Sequence, residues 1–144
     1  MPTPLPTAPT RSDAPDIFVS RMDAFLPAMK TFSDELNAPP LTPISAAYTF
    51  VLLDAGKRFL HPSADTTART WTIPANASVA FAIGTEITFI NQNAGGIITI
   101  AITTDTLRLS PGGTTGSRSL AANGIATAIK ITATEWIISG TGLT

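Results

Sequence analysis

The sequence predicts a mainly β protein: a compact antiparallel β-sandwich or barrel-like C-terminal domain, preceded by an extended Pro-rich arm and one or two short helices. Three observations predict it. From residue 46 onward, short segments rich in Ile, Val and Thr alternate with Gly, Pro, Asn and Asp turns. Upstream, apolar residues from Phe18 to Leu36 recur at helical spacing. Before that, prolines stand at 2, 4, 6 and 9. The organisation is therefore an N-terminal arm, short helices and linker over 1–45, and a β-rich domain over 46–144, with docking expected of the first and trimerisation of the second on the grounds given below.

The arm, residues 1–14, should be extended, because each proline fixes its own φ and disfavours helix in the residue before it. It has little to bury except Leu5, and reads equally as a disordered tail or as a docking arm that orders on a partner. A helix should follow, with Asp13 as its cap and Pro15 in its first turn. Phe18, Met22, Phe25, Met29, Phe32 and Leu36 are spaced alternately four and three apart, the a/d pattern of a heptad. Ser20, Arg21, Asp23, Lys30, Ser33 and Asp34 lie off that stripe. Pro27 lacks the N–H that would reach the carbonyl of Asp23, so the helix should kink or divide there, near 15–26 and 27–37. Asn37 and Pro39-Pro40 end it, and 38–45 reads as a stiff linker. The stripe packs either on the chain's own β-domain or on other subunits.

The expected strands are 46–53, 57–60, 69–73, 77–83, 85–91, 97–103, 105–109, 117–121, 124–132 and 135–139. Turns are expected at Asp54-Ala55-Gly56, His61-Pro62-Ser63, Pro74-Ala75-Asn76, Gly84, Asn93-Ala94-Gly95-Gly96, Pro111-Gly112-Gly113 and Asn123-Gly124. In 97–103, Ile98, Ile100 and Ile102 share one face and Ile97, Thr99, Ala101 and Thr103 the other. In 125–131, the split is Ile125, Thr127, Ile129 and Ile131 against mostly small Ala. A solvent face usually shows charge, and these strands show mainly Ala and Thr there instead. Small neutral side chains there suit close approach of a second subunit. Ile98, Ile100, Ile102, Ile129, Ile131, Trp136 and Ile138 are the expected core or trimer contacts.

Composition narrows the function. Charged residues are 13% of the chain and the net charge is −1, with no basic stripe, so nucleic acid is not an expected partner. Cysteine is absent, which removes disulfides and thiolate metal sites. The N-terminus has neither a basic n-region nor an apolar h-region, and no apolar run suits a bilayer span, so a soluble product without membrane insertion is expected. His61 is the single histidine and reads as a surface turn residue, so no metal cluster and no catalytic site is expected. Asp54, Asp65, Glu86, Asp105 and Glu135 are scattered singly. No Gly-x-Ser-x-Gly elbow occurs, and the Gly112–Ser117 loop lacks a phosphate-binding lysine. An enzyme is not expected, nor a cofactor. Asn76-Ala77-Ser78 matches a glycosylation sequon, relevant only to a secreted eukaryotic chain. Trp71 and Trp136 could build a sugar platform, but core or interface packing is the preferred role.

Two groups of segments resemble fibre and capsid-decoration proteins of tailed bacteriophages. The first is Leu5–Arg11, Arg21-Met22-Asp23-Ala24-Phe25-Leu26 and Glu35-Leu36-Asn37, similar to virion-attachment regions. The second runs Tyr48–Leu52, Asp54-Ala55-Gly56-Lys57, Ile73-Pro74-Ala75-Asn76, Gly84-Thr85-Glu86-Ile87, Gly95-Gly96 and Trp136–Gly140, similar to a β-module of phage fibres. The resemblance implies a homotrimer, made in the host cytoplasm, that joins the virion at the capsid exterior or the tail. Its partners would be copies of itself and a capsid or tail protein. The chain ends at Thr144, just past the module, which favours a short fibre or capsid-decorating protein over a longer receptor-binding fibre. The alternative is a host-recognition module that binds surface glycan through Trp71, Trp136 or the Gly112–Ser117 loop.

Overall fold

The computed structural model of the chain describes Thr7 and residues 15–144. Leu5, Asp13 and most of the proposed arm lie outside the described residues. The fold is mainly β, with 41% of residues in strands against 18% in helix, and its curled mixed sheet forms a half-barrel. The chain divides into two units, one ending at Pro40 and one spanning Leu41–Thr144.

Among its described residues the first unit has the helix α1, Pro15–Asn37. It runs undivided through Pro27, where the sequence predicted a kink or a division. One proline removes one ladder bond and costs about 3 kcal/mol, which the turns on either side can outweigh. Thr31 Oγ1 donates to the Pro27 carbonyl at 3.1 Å, and Lys30 pairs with Asp34 at 2.6 Å, both across one turn. The heptad phase puts Pro27 at an f position, opposite the Phe18 to Leu36 seam, so the defect lies on the far face.

The second unit has nine strands: β1 Leu41–Pro43, β2 Tyr48–Thr49, β3 Arg58–His61, β4 Arg69–Ile73, β5 Glu86–Asn91, β6 Ile98–Ile102, β7 Thr106–Leu109, β8 Arg118–Lys130 and β9 Glu135–Leu143. Successive strands alternate between two stacks. β1, β3 and β5 pair in parallel, and so do β2, β4 and β6. β8 joins the stacks, its first part pairing antiparallel with β6 and its second with β5. β9 runs antiparallel along β8, and β7 is parallel to β9. The pairing is thus mixed, where antiparallel pairing was expected throughout. Neighbours in sequence are not neighbours in the stacks, which hairpin reasoning from turns does not reveal.

Four other expectations change. The strand expected over 46–53 is reduced to β2, and Leu52–Asp54 form a 3-10 turn. The stretch read as linker supplies β1, whose Leu41 and Thr42 stand opposite Arg58 and Phe59. Residues 77–83 form turns, with the amides of Ser78 and Val79 both donating to the Ala75 carbonyl, and no strand. The expected strands 117–121 and 124–132 are one strand, β8. Asn123-Gly124 interrupts it as an irregularity between Leu120 and Ile125, with Asn123 at φ 57°. Asn tolerates that left-handed conformation better than most residues, and the bend carries β8 from one stack to the other.

The core is aromatic and aliphatic. Phe50 lies 4.9 Å from Phe59 and 5.6 Å from Phe89, ring centre to ring centre, and Phe81 lies 5.6 Å from Trp136. Trp71, Ile73, Ile87, Leu107 and Leu120 also belong to it. Alternation along β8 puts Ala126 and Ala128 on the core face, Ala126 opposite Phe89 and Ala128 between Ile87 and Ile138. Ile125, Thr127 and Ile129 consequently face outward, the reverse of the arrangement in which small residues meet a partner.

Candidate assembly surfaces and internal clasps

Four side-chain clusters lock the β-unit, each built on a residue of the motifs named above. The first is Asp54, which is almost fully buried. Its Oδ2 accepts from Tyr48 Oη and the Val51 amide, each at 2.9 Å, and its Oδ1 meets Lys57 Nζ at 3.3 Å. Burial, then the Asp54 carboxylate, pushes the Tyr48 hydroxyl above its ordinary pKa. Gly56, at φ 78°, lets the chain turn so that its amide reaches the Glu86 carbonyl at 2.8 Å.

The second is His61, which is fully buried, contrary to its reading as a surface turn residue. Its Nδ1 faces Asn91 Oδ1 and its Nε2 faces Asp65 Oδ2, each at 3.1 Å. Asn91 Nδ2 donates to the carbonyls of Gly96, Leu120 and Ala121, which fixes the orientation of its amide. Arg69 holds Asp65 through Nε at 2.8 Å and Nη2 at 3.1 Å, and chiefly for that reason the Asp65 carboxyl sits well below the usual carboxylate range. A side chain at Gly96 would meet the Thr67 carbonyl at 2.8 Å and His61 Cε1 at 3.2 Å, so glycine is required there for close approach. The buried partner of His61 could have been suspected from Asn91 and Asn93, polar residues at the end of an apolar strand. A turn signal at Pro62 pointed the other way.

The third is Lys130, also fully buried, whose Nζ donates to Asn76 Oδ1 at 2.6 Å and lies 5.7 Å from the centre of the Trp136 ring. Asp105 Oδ2 accepts the Asn76 amide at 2.9 Å. The fourth is Gly140 on β9, opposite Ala126, where any Cβ would collide with the Ile125 carbonyl and Ala126 Cα.

Among the described residues, no three His, Cys, Asp or Glu side chains converge as metal ligands. No described helix is long and apolar enough to cross a membrane. Trp71 and Trp136 are fully buried and present no ring to a sugar. Ile98, Ile100, Trp136 and Ile138 are core residues, and Ile102 packs half-buried against them. Ile129 is half-buried on the outer sheet face, and Ile131 is exposed.

The helical stripe is unsatisfied within its own unit. Phe18, Met29 and Leu36 are 41%, 45% and 58% exposed, and Met22, Phe25 and Phe32 are half-exposed. Val19 and Leu26 add to it at 57% each. The β-unit exposes Leu41, Val51, Leu52, Leu53, Ile83, Ile97, Ile125 and Ile131. Such apolar surface is characteristic of sites of association. Searches against protein-family models, curated proteins and solved structures find no match to this chain.

Proposed function

We propose that this chain is a structural virion protein of a tailed bacteriophage, a homotrimeric short fibre or capsid-decorating protein that attaches through its N-terminal arm and helix. The observation that carries the self-assembly part is α1, a 23-residue helix with Phe at every seventh position from Phe18 to Phe32 and its seam exposed. An isolated helix is marginal in water, and one of this kind is stabilised when its apolar seam is covered. Three copies place the Phe18, Phe25 and Phe32 layers together and leave Pro27 outside. Val19 and Leu26 widen the apolar face beyond the two-position seam of a dimer, which supports the higher order.

The phage assignment is supported by the motif resemblance. In this reading the chain carries no catalytic step. Its polar clusters act as clasps: both ring nitrogens of His61 are engaged, and Asp54 and Lys130 are satisfied internally. The test is the solution mass of the full chain at micromolar concentration, with wild type at three times the chain mass. Phe25→Asp should reduce it to the single-chain mass with the β-unit still folded by circular dichroism. A wild-type monomer would remove the trimer from the reading. Incorporation of Phe25→Asp into phage particles at wild-type level would remove the docking role of the helix.

A further inference from the structure

The sheet has an outer face that the fold leaves uncovered. Register and alternation place its residues without ambiguity. One row crosses five strands as Pro43, Leu60, Ile90, Ile125 and Thr141. The next reads Leu41, Arg58, Thr88, Thr127 and Ser139. The third joins Glu86, Ile129, Ile137 and Arg108. Leu41 and Ile125 are 52% and 47% exposed, and Leu60, Ile90, Ile129 and Ile137 are half-exposed. A solvated face alternating with a core normally carries Lys and Glu.

Its few charges identify the occupant. Arg108 is paired with Glu135 at 2.6 Å. Arg58 and Glu86 are exposed and have no ion pair among the described residues. They are diagonal neighbours on adjacent strands, since Arg58 stands opposite Thr88, two residues from Glu86. The face is therefore apolar in its middle and holds one unpaired cation and one unpaired anion. A surface of this composition is complementary to itself. A basic or acidic partner would satisfy one of the two charges and repel the other.

We propose that this outer face, β1-β3-β5-β8-β9, is where β-units of separate copies of this chain pack, with Arg58 of one copy meeting Glu86 of the next. The inference rests on the self-assembly reading and adds an interface within the β-unit, independent of α1. The Ile and Leu rows supply the adhesion, and the charge pair sets the register. The outward turn of the β8 isoleucines, with alanine inside, serves this surface.

The absence of cysteine from the chain makes a clean test. Full-length Arg58→Cys and Glu86→Cys chains are co-expressed, purified and oxidised, with Arg58→Cys plus Thr70→Cys as the control pair. Thr70 is exposed on β4, in the other stack. The expected result is a disulfide-linked pair from the 58/86 mixture, formed roughly tenfold faster than from the control. In parallel, Arg58→Glu and Glu86→Arg should each raise the concentration needed for association by roughly tenfold, and the double swap should restore it. An oligomeric wild type without the 58–86 link, or single swaps without effect, overturns this interface and leaves the helix-borne assembly standing. A monomeric wild type overturns both.

Discussion

Asp54 holds three donors at once, and its removal should be felt across the whole β-unit. Asp54→Ala leaves the Val51 amide, Tyr48 hydroxyl and Lys57 ammonium without their acceptor, at a cost of about 2–3 kcal/mol. Tyr48→Phe, which loses one bond, should cost about 1 kcal/mol. Urea unfolding of both variants checks the ratio. At Lys130 the order of effects inverts intuition. Asn76→Ala strands a buried amine, while Lys130→Met removes donor and charge together and keeps a long chain beside Trp136. The Asn76 variant should therefore be the less stable of the two in the same assay. Asp65 contributes a pH dependence. Its folded pKa is depressed, mainly by Arg69, so its contribution is present above the unfolded carboxylate range and is lost as pH falls through the folded value. Wild type should lose stability in acid below about pH 4, and Asp65→Asn should flatten that part of the profile.

At the scale of elements, backbone fit decides more than side-chain character. Gly140→Ala would drive a methyl group into β8 at the Ile125 carbonyl, and neither backbone can retreat without breaking the β8–β9 ladder. A loss of about 3 kcal/mol or more is expected, read as a lowered thermal midpoint. Asn123 sits at φ 57°, so Asn123→Gly should be tolerated within about 0.5 kcal/mol while Asn123→Val costs about 1–2 kcal/mol. α1 offers the opposite sign. Pro27→Ala restores a ladder bond on the face away from the seam, and should raise helix content and stability without changing the solution mass. A change of mass would place Pro27 in the contact itself.

At the scale of the molecule, the two-stack arrangement explains why the chain has an uncovered face at all. Winding alternately between β1-β3-β5 and β2-β4-β6 buries one side of each stack on a shared core and leaves the other side out. With few charges on it, that side is the one proposed above to meet another copy. β1 and β2, at the ends of the sheet path, are three and two residues long, too short to propagate edge pairing.

Much of this protein was determined by local sequence. Period-two alternation with turn residues places β3, β4, β5, β6 and β7 within a residue or two, and the four-three spacing places α1. These signals are local, and the forces behind them act within a few residues. Other features depend on distant partners. Whether Asn123-Gly124 ends a hairpin or bends one strand is decided by β5, β6 and β9 lying alongside β8. Whether Ala or Ile of β8 faces inward is decided by its register with β5 and β9, which sets Ala126 opposite Phe89 and Ala128 between Ile87 and Ile138. His61 is internal because Asn91 and Asp65 satisfy both its nitrogens, a pairing that spans thirty residues on one side. The sequence by itself determined the type of most elements and their two faces, though not that 77–83 forms turns or that the linker supplies β1. Only the tertiary structure decided which face is buried, because burial depends on what stands opposite, and that is a property of the assembled sheet.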